Sequence, residues 1–408
     1  MMLVGCGIIP PTEVSIQMKA LVQEMNTKDI NKGSSSHHNK TTALIHMGPH
    51  KTGTTTLQAY SKTFINQLKE DGYHLPFDWA PDDVSKRLTV VRDQRNAMSF
   101  ASCFLNSPEA MRNQDPCAHE YVRAGANIAA EGKSMLVTSE GFSLLGDHAL
   151  KSLATYATAS FDEVIVVVFY RRHFEWFVSF FNECWKNRIF GGNNFHYENS
   201  ILWFTEMFVI NGIREFENDA KRHEEARHTF FILDMLKKHF ENVKVVNMHD
   251  GKDNNEEVFC EIMPHANRTC EGVKETNMAK KEIVSNASID LIYEDLAYKA
   301  MKQGMVQIQN HEQMTKVTNA VQKHQLETLG LTKHDFPLTC PSSEVLDQIL
   351  SLSLTMEETL FPEFYRSPQG EESLRASFQK YAETKLCTLA DEAVRDPVWI
   401  DFFKSFSY

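Results

Sequence analysis

The sequence predicts an α/β protein: a central parallel sheet of about five strands flanked by helices, followed by a helical C-terminal extension. Three features of the chain predict it. A short apolar run (Ala43, Leu44, Ile45) passes through a Gly/Pro turn into a stretch where Leu57, Tyr60, Phe64 and Leu68 recur at helical spacing, the order strand, loop, helix. Residues 164–170 (VIVVVFY) form the most apolar and β-branched run, which reads as the central strand, buried on both faces. Further short apolar runs at 134–138 (SMLVT) and 243–248 supply more strands, separated by helix-compatible stretches.

Taken in order, Val14, Met18, Leu21, Val22 and Met25 share one face of a short amphipathic helix. The Asn/Lys/Ser/His-rich stretch 26–40 reads as a linker, and the adjacent His37 and His38 in it as solvated. After the first strand, loop and helix, GYHLPF at 72–77 predicts a second strand. A polar, helix-compatible region then runs through Gly132, broken by Pro108 and Pro116. The strand at 134–138 delivers Ser139 and Glu140 to its carboxyl end, where ligands gather in an open parallel sheet. The central strand ends in Arg171 and Arg172. An arginine there needs water or an anion, and a strand end offers both.

The helix that follows shows Phe174, Phe177, Val178, Phe181 and Trp185 as its apolar face. Residues 230–234 (FFILD) mimic a strand ending in a magnesium-binding Asp, but Asp234 reads as preceding a helix over 235–240. Ile289, Ile292, Tyr293, Leu296, Ala297 and Ala300 mark another amphipathic helix. Beyond Gly330 lie Pro337, Pro341, Pro362 and Pro368, then a helix-compatible stretch over 371–389. The expected organisation is an N-terminal helix and linker (1–40), a core domain (41–330) and a helical extension packed on the core (331–408).

With 408 residues, 42% of them apolar and 24% charged, the chain can build a substantial core. A net charge of −12 argues against a nucleic-acid partner, while leaving room for a local cationic pocket. No apolar stretch approaches the roughly 20 residues that span a bilayer, and residues 1–11 are short and uncharged for a signal peptide, so no transmembrane or targeting segment is expected. The eight cysteines include no Cys-x-x-Cys pair and read as buried thiols or disulfides. Cys260 and Cys270 bracket a Pro/His/Asn loop that suits a disulfide if the protein is luminal. Glycosylation sequons at Asn39, Asn267 and Asn286 point the same way.

The run His46-Met-Gly-Pro-His-Lys-Thr-Gly-Thr-Thr-Thr-Leu-Gln58 is the most informative part of the chain. Backbone N–H groups of such a turn, together with the positive end of the next helix, can close around a phosphate or sulfate. A Walker loop places Lys directly after its last glycine. Here Thr54 and Thr55 follow Gly53, and the lysine is Lys51, two places before that glycine. Lys51-Thr52-Gly53-Thr54-Thr55 resembles the 5′-phosphosulfate loop of sulfotransferases that use 3′-phosphoadenosine 5′-phosphosulfate (PAPS). The longer run looks more like the membrane-associated and bacterial carbohydrate-type members than the cytosolic ones. A second match follows the central strand: Arg171, then Ser179 eight residues on, then an aromatic, resembles the family's 3′-phosphate signature. Where cytosolic members carry proline two places after the arginine, this chain has His173.

The resemblance implies a three-layer P-loop fold and transfer of a sulfuryl group from PAPS to a hydroxyl or amine, with a carbohydrate or small hydroxylated molecule as acceptor. It implies cofactor contacts from Lys51, Thr52, Gly53, Thr54, Thr55, Arg171 and Ser179, with Lys51 also stabilising the leaving phosphate and no metal required. Glu140 is the leading candidate for the general base, with His50 and His74 behind it; it reads equally as the acidic residue of a helix beginning near Phe142. The Golgi lumen is the compartment such members occupy, with the cytoplasm as the alternative. Two other classes stay open. A P-loop kinase or nucleotide hydrolase shares the strand, loop and helix, and an inactive sulfotransferase-like protein would bind cofactor without transferring from it.

Overall fold

A computed structural model of the chain describes residues 40–48, 52–76, 124–188, 201, 205, 229–279, 291–330, 336–383 and 385–406. In chain order these form strand β1 (Thr42–Met47), helices α1 (Thr54–Thr63) and α2 (Ile65–Glu70), strands β2 (Tyr73–His74) and β3 (Ser134–Ser139), and a 3₁₀-helix (Glu140–Leu144). Next come α3 (Asp147–Ser160), β4 (Glu163–Tyr170), α4 (His173–Arg188), α5 (Thr229–His239), β5 (Asn242–Asn247) and α6 (Asn267–Met278). The remainder contains α7 (Leu291–Lys302), α8 (His311–Lys323), β6 (Leu338–Thr339), α9 (Ser343–Leu360), α10 (Glu371–Ala382), β7 (Thr388–Leu389) and α11 (Pro397–Ser405). The chain divides into two compact units, Met1–Tyr170 with Arg227–Ser285, and Arg171–Ala226 with Asn286–Tyr408.

The first unit holds a five-stranded sheet in the order β2-β3-β1-β4-β5, parallel at every pairing. The α/β class and the strand number expected from the sequence are therefore those of the molecule. Every residue of β1 and the last six of β4 are buried, as strands covered on both faces must be. On one face Leu44, Leu136, Ile165, Val167 and Phe169 pack against Leu57, Tyr60, Phe64 and Leu68, the stripe that the helical spacing marks out. Each of those side chains contributes about 1.5–3 kcal/mol by leaving water. Helices α3 and α5 pack on the sheet as well, both against β4. The β1 to β2 connection moves one way across the sheet and the β3 to β4 connection the other. With right-handed crossovers, their helices lie on opposite faces, and the carboxyl end of β1 is a switch point.

The second unit is built around two apolar clusters. Phe174, Trp176, Phe177, Val178, Phe180 and Phe181 of α4 pack with Val345 and Ile349 of α9 and with Leu374 and Phe378 of α10. Elsewhere Ile292, Tyr293, Leu296, Ala297 and Ala300 of α7 join Val317 and Val321 of α8 and Trp399 and Phe403 of α11.

The structure corrects the sequence reading in four places. The second strand is only Tyr73–His74. The turn of helix after β3 starts at Glu140 itself, capped by the Ser139 hydroxyl, which accepts from the Gly141 N–H at 3.1 Å. The FFILD run lies inside α5: Ile232, Leu233 and Leu236 are buried at helical spacing and Asp234 is exposed, so its apolar residues form a helix face and no strand. The last long helix stops at Ala382, and Thr388–Leu389 instead pairs antiparallel with Leu338–Thr339.

Among the described residues two disulfides are present, Cys260–Cys270 in the first unit and Cys340–Cys387 in the second, the latter beside the β6–β7 pairing. Among the described residues no helix is long and apolar enough to cross a membrane. The expected N-terminal helix over 12–26, the linker histidines, most of the polar region after Phe77, and the stretch 206–228 lie outside the described residues.

Candidate anion-binding site

At the carboxyl end of β1 the chain reaches Gly48, and from Thr52 onward it turns into α1. Gly53 has φ of 82° and ψ of 6°, a left-handed conformation that side-chain-bearing residues avoid, and the sequence supplies the one residue that adopts it freely. Its carbonyl accepts the N–H groups of Thr56 (3.0 Å) and Leu57 (3.1 Å), which starts the helix. No side chain caps this N-terminus, and no acidic residue lies in its first turn. The helix thus presents its positive end with no carboxylate from its own first turn beside it.

Side chains close in on Gly48. A Cβ at that position would lie 2.6 Å from Thr54 Oγ1, 2.8 Å from Thr52 Oγ1 and 3.3 Å from His46 Cε1. Only glycine leaves room for the two hydroxyls to approach the backbone this closely. Thr52 and Thr54 are buried, Gly53 and Thr55 half-buried, and the Thr54 hydroxyl has no hydrogen-bond partner among the described residues. Phe169 of β4 forms a wall of the same corner, its ring 3.3 Å from where a Gly53 Cβ would sit and its centroid 4.6 Å from the His46 imidazole.

His46 is fully buried in β1. Its Nδ1 lies 2.8 Å from Thr138 Oγ1 on the neighbouring β3, its Nε2 has no hydrogen-bond partner among the described residues, and burial pulls its pKa down to about 3, so the ring is neutral at physiological pH. Sequence reasoning passed over this residue, because a lone histidine in an apolar strand reads as core. The available signal was an imidazole inside the buried run Ala43–Met47, two residues before the glycine of an anion loop.

Thr52, Gly53, Thr54 and Thr55 are thereby brought together at one helix start. Lys51 and His50 lie outside the described residues. Glu140 follows β3, whose Ser139 is in register with Met47 at the end of β1, so its backbone stands on the same edge of the sheet as the loop; its side chain is outside the described residues. His74 is in register with Met135, four residues back from Ser139, at the amino half of β3.

In the second unit Arg171 and Ser179 are both half-buried, Ser179 on α4. Arg171 faces Glu175 one turn on, Nε to carboxylate 3.7 Å, and is within hydrogen-bonding reach of the Tyr381 hydroxyl. Glu175 in turn accepts from the Ser377 hydroxyl at 2.8 Å. The other member of the pair, Arg172, is buried and bound to Glu357 and to Ser373, so it is a structural group. Arg171, just before α4, thus pairs with Glu175 in its first turn, and Ser179 lies one turn further along the helix. No family model, curated protein or solved structure matches the chain.

Proposed function

We propose that this chain is a PAPS-dependent sulfotransferase that moves a sulfuryl group to a hydroxyl or amine of an acceptor, with a carbohydrate as the favoured class, and releases adenosine 3′,5′-bisphosphate. The observation that carries the reading is the loop after β1: an uncapped helix N-terminus entered through a left-handed Gly53, with two threonine hydroxyls crowded onto Gly48 and a lysine placed before the glycine. A cradle of N–H and hydroxyl donors suits a tetrahedral anion. The kinase alternative is less well supported, since Thr54 stands where the Walker lysine would be and Asp234 is an exposed residue in the middle of a helix and not at the end of a strand.

On this reading Thr52, Gly53, Thr54 and Thr55 hold the 5′-phosphosulfate, and Arg171 with Ser179 holds the 3′-phosphate. The acceptor oxygen forms a bond to sulfur as the bond from sulfur to the 5′-phosphate oxygen breaks, and the acceptor proton passes to Glu140. Lys51 offsets the charge that builds on the departing phosphate. The two disulfides fit an oxidising compartment, and Asn267 of the central sequon is exposed at the start of α6; the Golgi lumen is the proposed location.

Calorimetry with adenosine 3′,5′-bisphosphate and adenosine 5′-monophosphate tests the cofactor assignment. The bisphosphate is expected to bind at least about tenfold more tightly, and Arg171→Ala to erase that preference, as loss of a charge-assisted hydrogen bond does. Equal affinities in the unmodified chain contradict the role of Arg171. For the base, Glu140→Gln is expected to leave bisphosphate affinity intact and lower turnover by about 10² to 10⁴. A normal turnover number with a modest loss of thermal stability would instead make Glu140 a helix-start residue. Peptide mapping of non-reduced protein from its native cells should recover Cys260 joined to Cys270 and Cys340 joined to Cys387. All four recovered as free thiols would move the protein to the cytosol.

A further inference from the structure

Beside Gly48, two buried polar atoms stand without hydrogen-bond partners among the described residues: His46 Nε2 and Thr54 Oγ1. They belong to different elements, β1 and α1, and their side chains meet the same Gly48 Cβ position, at 3.3 Å and 2.6 Å. Buried polar groups are nearly always paired, so two unpartnered atoms on side chains that meet at one position suit a ligand that supplies the missing contacts. An apolar residue at position 46 would have packed against Phe169 at no such cost. The imidazole is also held in place. Thr138 Oγ1 engages Nδ1 at 2.8 Å, the Thr138 carbonyl accepts from Gln58 Nε2 of α1 at 3.1 Å, and the Phe169 ring packs against the imidazole. The Thr138 hydroxyl can donate to Nδ1 or accept from it, so this contact fixes the position of the ring, and the tautomer follows from what Nε2 meets.

We propose that His46 belongs to the anion site itself: clamped at Nδ1 by the Thr138 hydroxyl and carrying its proton on Nε2, it is a neutral hydrogen-bond donor that, with Thr54, completes the floor of the loop when an anion, or a water held by that anion, is bound. The Thr138 O–H donates to Nδ1 in this arrangement. The imidazole stays uncharged because it is fully buried, so it contributes direction and not net charge; the charge comes from elsewhere in the loop. This inference rests on the reading of the loop as an anion cradle and gives a role to the first residue of the run His46–Gln58, which lies outside the Lys51–Thr55 motif itself.

The test uses the full chain with its histidines labelled with nitrogen-15, and two probes, adenosine 3′,5′-bisphosphate and inorganic pyrophosphate. In the free chain the His46 signals are expected to show one neutral tautomer protonated at Nε2, and the Nε2 signal is expected to move on saturation with either probe. Calorimetry on Thr138→Val, which keeps the shape and removes the clamp, and on His46→Phe should show probe affinity reduced about tenfold, with Thr138→Ser restoring it. Unchanged affinity in both Thr138→Val and His46→Phe, or an Nε2 signal that does not move under saturating probe, overturns the role of His46. Should a variant not fold, the signal of the unmodified chain decides alone. If pyrophosphate binds and the bisphosphate gains nothing over it, the PAPS reading fails while His46 is still judged by pyrophosphate. If neither probe binds, both readings fall.

Discussion

Lys51→Ala is expected to lower the rate of sulfuryl transfer by about 10² to 10³ while changing cofactor affinity only a few-fold. Negative charge grows on the 5′-phosphate as its bond to sulfur breaks, so a cation beside it is worth more in the transition state than in the ground state. Removing it should therefore fall on kcat more than on binding. Lys51→Arg retains the charge but spreads it over a planar fork, and partial recovery is expected. A variant that loses affinity and rate in equal proportion would make Lys51 a binding group of the ground state. Full activity in Lys51→Ala would remove it from the chemistry and leave the stabilisation to the uncharged donors of the site.

The second large effect concerns stability. Arg172 and Glu357 lie 3.2 Å apart with 3% and 0% of their side chains exposed, and Ser373 accepts from the same guanidinium. Burial pushes the Glu357 carboxyl above its usual range, against the opposing pull of Arg172. Glu357→Ala leaves an uncompensated guanidinium in the core of the second unit, and a loss of about 3–5 kcal/mol is expected. The pair Arg172→Met with Glu357→Leu should recover most of that loss, because neither charge then needs solvation. Denaturation midpoints of the two variants check this; a double variant as unstable as Glu357→Ala would show that the site is held by shape and Ser373 more than by the charge pair.

What the sequence made legible follows from how local each signal was. The stripe Leu57, Tyr60, Phe64 and Leu68 repeats at helical spacing across the consecutive helices α1 and α2, and all four are in the core. The strands at 134–138 and 164–170 are short runs with no competing helical period, and they sit within a residue of their observed bounds. Arg172 could not be told from Arg171, because its partner Glu357 is 185 residues away and only the fold brings it near. Cys340 and Cys387, 47 residues apart, were likewise silent, whereas the Pro/His/Asn loop between Cys260 and Cys270 was local enough to suggest their bridge. FFILD misled because five residues are too few to separate a helix face from a strand, and only Leu236 and the exposed Asp234 reveal the helical period. His46 was hidden for a different reason: its chemistry depends on Thr138 across the sheet and on the approach of Thr52 and Thr54 to Gly48.

The most direct test of the central claim is transfer itself. The purified full chain, incubated with PAPS carrying a radioactive sulfur and with a panel of glycans, glycolipids and small alcohols in the absence of magnesium, is expected to move label into at least one acceptor, with one adenosine 3′,5′-bisphosphate released per sulfuryl group and with Lys51→Ala strongly impaired on that same acceptor. Tight binding of PAPS with no label in any acceptor would make the chain a cofactor-binding relative without transferase activity, and magnesium-dependent turnover of ATP with no transfer from PAPS would contradict the account.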